Sequence, residues 1–133
     1  MPEIPVLPAV WRFPAHPASV GRARHAVVGV APRQLHDELG LIASELVTNA
    51  VRHGTRGDDL VELVVWPADG HYWLAVSDPG DGKPSVGRWP APDAESGRGL
   101  VLVDALAAAW GVVPRAYRGK SVVAGLVFPP AGM

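Results

Sequence analysis

Glu45 and Asn49 stand four residues apart in the run Ser44-Glu45-Leu46-Val47-Thr48-Asn49-Ala50-Val51-Arg52-His53-Gly54. On a helix, residues at that spacing share one face, so a carboxylate and a carboxamide can be aimed at the same object. Downstream, Asp78-Pro79-Gly80-Asp81-Gly82 follows a strand-like run, and Gly97-Arg98-Gly99-Leu100 opens a helix-like one. Glycines at 80 and 82 carry no side chain, so the backbone there can turn sharply and come close to a ligand. Gly97 and Gly99 stand where a helix would begin, and the free N–H groups and positive dipole end of a helix suit phosphate oxygens. Each segment has a plainer reading when taken alone: a solvated helix face, an ordinary turn, a stray pair of glycines. Their order decides. An acid-amide helix, two strands, an Asp-Gly turn, a long Pro-rich loop and then Gly-x-Gly at a helix start read together as a nucleotide site.

The elements that must position these residues follow from periodicity. Residues 1–10 are Pro-punctuated and read as a loose lead-in to a single domain over 11–133, opening with a short strand near Trp11-Arg12-Phe13. Val20, Ala23, Val27 and Val30 are spaced for one buried helical face, with Ser19 as the expected N-cap. A second helix is expected from about Leu35 to His53, its inner face made by Leu35, Leu39, Ile42, Leu46 and Ala50, its polar strip by Glu38, Glu45, Asn49 and Arg52, and its end by Gly54 as a C-terminal glycine. Val61 to Trp66 and His71 to Ser77 read as an antiparallel hairpin joined through Pro67-Ala68-Asp69-Gly70. Residues 83–97 are aperiodic and rich in Pro and Gly. Loops longer than about 12–15 residues in a compact domain are commonly functional, and a lid over a nucleotide fits this one. Leu100, Val103, Leu106 and Trp110 repeat at helical spacing, and a last hairpin is expected through Val112-Val113 and from Ser121 to Phe128.

Composition narrows the function classes. The chain has 133 residues, 48% of them hydrophobic, enough for one domain with a real core. Its 12 basic and 13 acidic residues leave a formal charge of −1, without the basic field that nucleic acid requires. It has no cysteine, which removes disulfides, thiolate metal sites and a cysteine nucleophile. No apolar run approaches the ~20 residues that span a bilayer, and no charged segment followed by an apolar one marks a leader. A cytoplasmic location and no membrane partner are therefore expected.

The ordered motifs resemble those of the GHKL (Bergerat-fold) ATPases, the superfamily of gyrase, Hsp90 chaperones, sensor histidine kinases and MutL. Glu45 and Asn49 match its N box; Asp78, Gly80 and Gly82 match its first glycine box; Gly97, Gly99 and Leu100 match its second. The small size and the wording from Ser44 to Gly54 are most similar to the anti-sigma-factor serine kinases and their stand-alone bacterial relatives, over roughly residues 11 to 128. The resemblance implies an α+β fold: a two-layer α/β sandwich with helices on one face of a mixed, mostly antiparallel sheet. It implies ATP and Mg2+ as cofactors, with Asn49 giving its amide oxygen to the magnesium and Asp78 accepting a hydrogen bond from the adenine amino group. Glu45 then becomes the catalytic residue, orienting or deprotonating a water or a protein hydroxyl. Arg98 is a candidate for the terminal phosphate, and Ser121 matches a late position near adenine. The partners implied are an anti-anti-sigma-type protein, whose serine is the acceptor, and a sigma factor held in sequestration, with room for a homodimer. The alternative is a module that binds ATP only as a conformational ligand. A gyrase- or chaperone-type motor is disfavoured, since neither a transducer domain nor a swapping arm is seen.

Several look-alikes fail on spacing. Gly119-Lys120-Ser121 echoes the end of a P-loop, but the earlier glycine would fall at Pro114. Gly82-Lys83 runs into Pro84. His36-Asp37-Glu38-Leu39 resembles the phosphoacceptor box of sensor kinases, yet it sits in the N-box helix, so His36 is expected to be an ordinary exposed histidine. His53 reads as a packing or capping residue, and the histidines show no metal spacing.

Overall fold

Alternating apolar residues on one face build the sheet. In β2 (Leu60–Ala68), Val61, Leu63 and Val65 are buried, and in β3 (His71–Asp78) so are Tyr72, Leu74 and Val76 on the same face. The two strands meet through Asp69-Gly70, whose φ values of 53° and 72° make the two-residue turn that matches strand twist. β1 (Ala9–Pro14) adds antiparallel to β2 and β5 (Lys120–Val127) adds to β3, while β4 (Ala109–Pro114) pairs with the outer side of β5. The order β1-β2-β3-β5-β4 is antiparallel at every pairing, so the parallel component expected of a mixed sheet is not found among the described residues. This computed structural model describes residues 8–80, 95–115 and 119–127, those from 95 to 100 through their backbone alone.

Among the described residues three helices cover one face: α1 (Ala18–Val30), α2 (His36–His53) and α3 (Glu95–Leu106), with a 3-10 turn at Arg33–Leu35 leading into α2. α2 packs against both α1 and α3 and crosses β2, β3 and β5, so it is the central helix. Its buried residues Leu39, Ile42, Ala43, Leu46, Val47 and Ala50 close on Val27, Leu63, Leu74, Val76 and Val103 in one core. Gly40 lets α1 approach, since a Cβ there would lie 3.3 Å from the Arg24 side chain. Tyr72 ties the sheet to the end of α1 by donating from Oη to the Val30 carbonyl at 3.1 Å, and burial pushes its phenol above the ordinary value.

Four local expectations shift. The first strand begins at Ala9, inside the stretch read as a lead-in. Ser19 is not the N-cap: it lies inside α1, buried, with Oγ donating to the Pro14 carbonyl at 2.7 Å. His36 is half-buried and held at Nε2 by the Ala31 carbonyl, 2.8 Å away. Trp110 belongs to β4. The last turn of α3 closes with the Ala107 N–H on the Val103 carbonyl at 2.8 Å, and the Trp110 indole reaches back to Asp104 Oδ1 at 2.7 Å. No helix among the described residues is long and apolar enough to cross a membrane.

Candidate nucleotide-binding site

The site grows from the meeting of three chain ends: the C-terminus of α2, the end of β3 and the start of β5. β3 carries its inward face to its last residue, so Asp78 falls in line with Tyr72, Leu74 and Val76 and is 2% exposed. A carboxylate buried to that degree needs partners. Its Oδ1 accepts from the Gly80 backbone N–H at 2.9 Å and from Lys120 Nζ at 3.0 Å, while its Oδ2 makes no hydrogen bond among the described residues.

Three glycines pack closely around Asp78 and its neighbours, and space alone accounts for two of them. A Cβ on Gly54 would lie 2.2 Å from Asp78 Cγ, and one on Gly80 would lie 2.6 Å from Gly54 Cα. Gly119 is constrained twice, by a φ of +89° and by the Asp78 carbonyl oxygen, 2.1 Å from any Cβ placed there. Gly54 ends α2 as expected and does a second job besides. Its φ is −110°, outside the left-handed region, so it closes α2 without a left-handed cap and serves by letting β3 come against the helix end.

α2 extends the site away from that corner. Asn49 follows Gly40 by nine residues, about 900° of helical rotation, and so points to the side opposite the one on which α1 packs. Glu45 lies on the same strip one turn earlier. At ~1.5 Å per residue, Asn49 is roughly 7.5 Å and Glu45 roughly 13.5 Å back along the axis from Gly54. Both are half-buried, and neither has a side-chain partner among the described residues. Thr48 and Ser44 turn their hydroxyls onto the carbonyls of Ser44 and Gly40, at 2.7 and 2.9 Å. The free acceptors on this flank are thus Glu45 and Asn49.

The second glycine pair is placed differently from expectation. α3 already begins at Glu95, so Gly97 and Gly99 lie within its first two turns instead of ahead of them, as does the backbone of Arg98 and Leu100. The side chains of Arg98 and Leu100, together with Gly82 and most of the proposed lid, lie outside the described residues.

Ser121 is a correction. Its Oγ is 2.6 Å from Ser77 Oγ, and the register pairs Ser77 with Ser121 and Asp78 with Lys120. Neighbouring residues of a strand point to opposite faces. The Ser77–Ser121 pair therefore lies on the sheet face that is helix-free among the described residues, with the stacked rings of Trp66 and Trp73, whose centroids are 6.5 Å apart. The residue of β5 that meets Asp78 is Lys120. Sequence reasoning set it aside with a false P-loop, although Asp78 ending one strand and Gly119-Lys120 opening another was the signal available.

A histidine kinase-like ATPase domain model matches residues 13–124. The chain belongs to the histidine kinase-like ATPase family. An uncharacterized protein of Streptomyces coelicolor is 40% identical over 77 residues, covering 56% of this chain and 72% of that one. The histidine kinase domain of the blue-light activated histidine kinase from Erythrobacter litoralis superposes with a TM-score of 0.59 at 25% identity, covering 87% of this chain and 62% of that one. A second structure of that kinase gives a TM-score of 0.60, again at 25% identity over 87% of this chain, but spans only 42% of the longer kinase chain. This histidine kinase-like domain is thus an ATP-binding domain of the GHKL type. Its residues fit the ligand: Asp78 keeps an uncommitted oxygen at a corner where glycine backbones pack too closely to carry side chains, and α2 presents a free amide and a free carboxylate at increasing distance from it. Among the described residues no cluster of three or more His, Asp or Glu could by itself hold a metal. A cation here would draw on Asn49 together with phosphate oxygens and water, the donor set magnesium favours.

Proposed function

We propose that this protein is an Mg-ATP-dependent serine/threonine kinase that phosphorylates an anti-anti-sigma-type partner and sequesters a sigma factor. The observation that carries the reading is that Glu45 and Asn49, without side-chain partners among the described residues, stand on the central helix whose terminal Gly54 meets Asp78. Magnesium, when bound, would offset the charge of the phosphates. Asn49 offers it a neutral oxygen, and Asp78 Oδ2 accepts from the base. Glu45 accepts the proton of the acceptor hydroxyl as that oxygen bonds to the terminal phosphorus and the bond to the ADP oxygen breaks. Transfer to a protein hydroxyl is favoured over autophosphorylation at His36, because that ring is half-buried, bonded to Ala31 and part of the same helix as Glu45.

The test separates binding from chemistry. Asn49→Ala should weaken magnesium-dependent ATP binding. Glu45→Ala should leave ATP affinity within about twofold and slow transfer to partner serine by roughly 10²–10⁴-fold, the usual size of a general-base contribution. Calorimetry and radiolabel transfer to the host's anti-anti-sigma-like proteins measure the two quantities. A wild-type protein that binds ATP but labels none of those proteins would leave an ATP-gated binding module in place of the kinase. Undiminished transfer by Glu45→Ala would remove Glu45 as the base.

A further inference from the structure

We propose that Lys120 is a base-reading residue, forming with Asp78 a paired donor and acceptor that recognise the amino group and the adjacent ring nitrogen of adenine. The inference rests on the reading of Asp78 as the residue that meets the base.

Lys120 opens β5 directly opposite Asp78, and its ammonium stands 3.0 Å from Oδ1 with the two side chains 15% and 2% exposed. Surface ion pairs contribute little and need no function. A pair withdrawn from water is different, since desolvating two charges offsets most of what their attraction returns. Stability alone is a weak reason for a Lys–Asp pair at this depth, which directs attention to what the pair leaves unused.

An ammonium has three donors and an ionised carboxylate about four acceptor sites. Lys120 commits one donor to Oδ1 and, among the described residues, makes no other side-chain hydrogen bond. Asp78 commits Oδ1 twice and keeps Oδ2. The pair therefore holds a spare cationic donor beside a spare anionic acceptor, at a corner where the backbones of Gly54, Gly80 and Gly119 pack too closely to carry side chains. A flat heterocycle edge bearing an amino donor next to a nitrogen acceptor complements it: the amino group donates to Oδ2 and the ring nitrogen accepts from Nζ. Adenine has that edge. Guanine presents a carbonyl and a ring N–H at the same two positions, placing an acceptor before the carboxylate and a donor before the ammonium. Lys120 thereby adds to the discrimination that Asp78 begins.

The test uses the intact chain and two nucleotides, ATP and 1-deaza-ATP, in which the ring nitrogen next to the amino-bearing carbon is replaced by C–H. By titration calorimetry the wild-type protein should bind ATP about tenfold or more tightly than 1-deaza-ATP, the scale of one charge-assisted hydrogen bond. Lys120→Met should bind both analogues equally, near the wild-type level for 1-deaza-ATP. A Lys120→Met variant that keeps the wild-type ratio overturns the proposal, and so does a wild-type protein that fails to distinguish the two; the latter result needs no variant and stands even if Lys120→Met does not fold. Either outcome leaves the ATP site intact as long as ATP binds and Asp78→Asn weakens it. Absence of any ATP binding removes both readings together.

Discussion

Asp78–Lys120 and Ser77–Ser121 are adjacent rungs of the same β3–β5 ladder, yet they live in different chemical worlds. The first turns toward the helices, where a buried charge pair meets the end of α2 and glycines exclude side chains. The second turns to the helix-free face, where two hydroxyls satisfy each other at 2.6 Å. One residue of register separates a ligand-facing corner from a structural clasp. A strand pattern assigns residues to alternate faces, but only pairing and packing decide which face carries the site.

The corner should be the more fragile of the two rungs. Gly119→Ala places a Cβ where the Asp78 carbonyl stands and forces an L-residue to φ +89°. Strain from overpacking and from left-handed backbone together cost roughly 2–4 kcal/mol, a fall in melting temperature on the order of 10 °C that calorimetry would register. Gly54→Ala is expected to lose nucleotide affinity as well, because its Cβ can be accommodated only by displacing the Asp78 carboxylate. A Gly54→Ala protein with wild-type ATP affinity would show that the corner is not where the base sits.

Charge and hydroxyl should then part company in binding. Asp78→Asn keeps an oxygen, adds a competing donor and leaves Lys120 facing a neutral group. Hydrogen bonds to charged groups contribute about 1.5–3 kcal/mol, so ATP affinity should fall roughly tenfold or more while preference over GTP narrows. Isothermal titration with both nucleotides measures this. An unchanged Asp78→Asn variant would erase the contrast between the rungs.

Much of this architecture was legible in the sequence, and the failures have identifiable causes. α2 was readable because Leu35, Leu39, Ile42, Leu46 and Ala50 keep one stripe over the whole helix, and the β2–β3 hairpin because Asp69-Gly70 admits few other conformations. Trp110 was assigned to the wrong element because its spacing from Leu106 continues the helical series, and the ring does pack beside α3, though from a strand. Ser19 misled by two residues: the N-cap is Pro17 and α1 starts at Ala18, which places the hydroxyl inside the first turn, where it bonds back to β1. Asp78, Glu45 and Asn49 came from motif order. Lys120 did not, because a lysine at a strand start reads as solvated until the register sets it against a buried carboxylate. The same missing register put Ser121 near the base and hid the second job of Gly54.

The smallest expected effect tests the clasp itself. Ser121→Ala leaves the Ser77 hydroxyl, 5% exposed, without its partner across the strands. An unsatisfied buried hydroxyl costs about 1 kcal/mol or somewhat more, whereas removing both partners is close to neutral. Ser77→Ala/Ser121→Ala should accordingly be nearly as stable as the wild-type protein in urea, with Ser121→Ala alone about 1 kcal/mol lower. Since both hydroxyls face away from the helices, ATP affinity should stay within about twofold in either variant, well short of the tenfold that one charge-assisted contact would give. A larger loss of affinity in Ser121→Ala would mean that the ligand reaches the helix-free face or that β5 shifts by one residue when it binds. In that event the division of labour between the two rungs would have to be redrawn with Ser121 in the site.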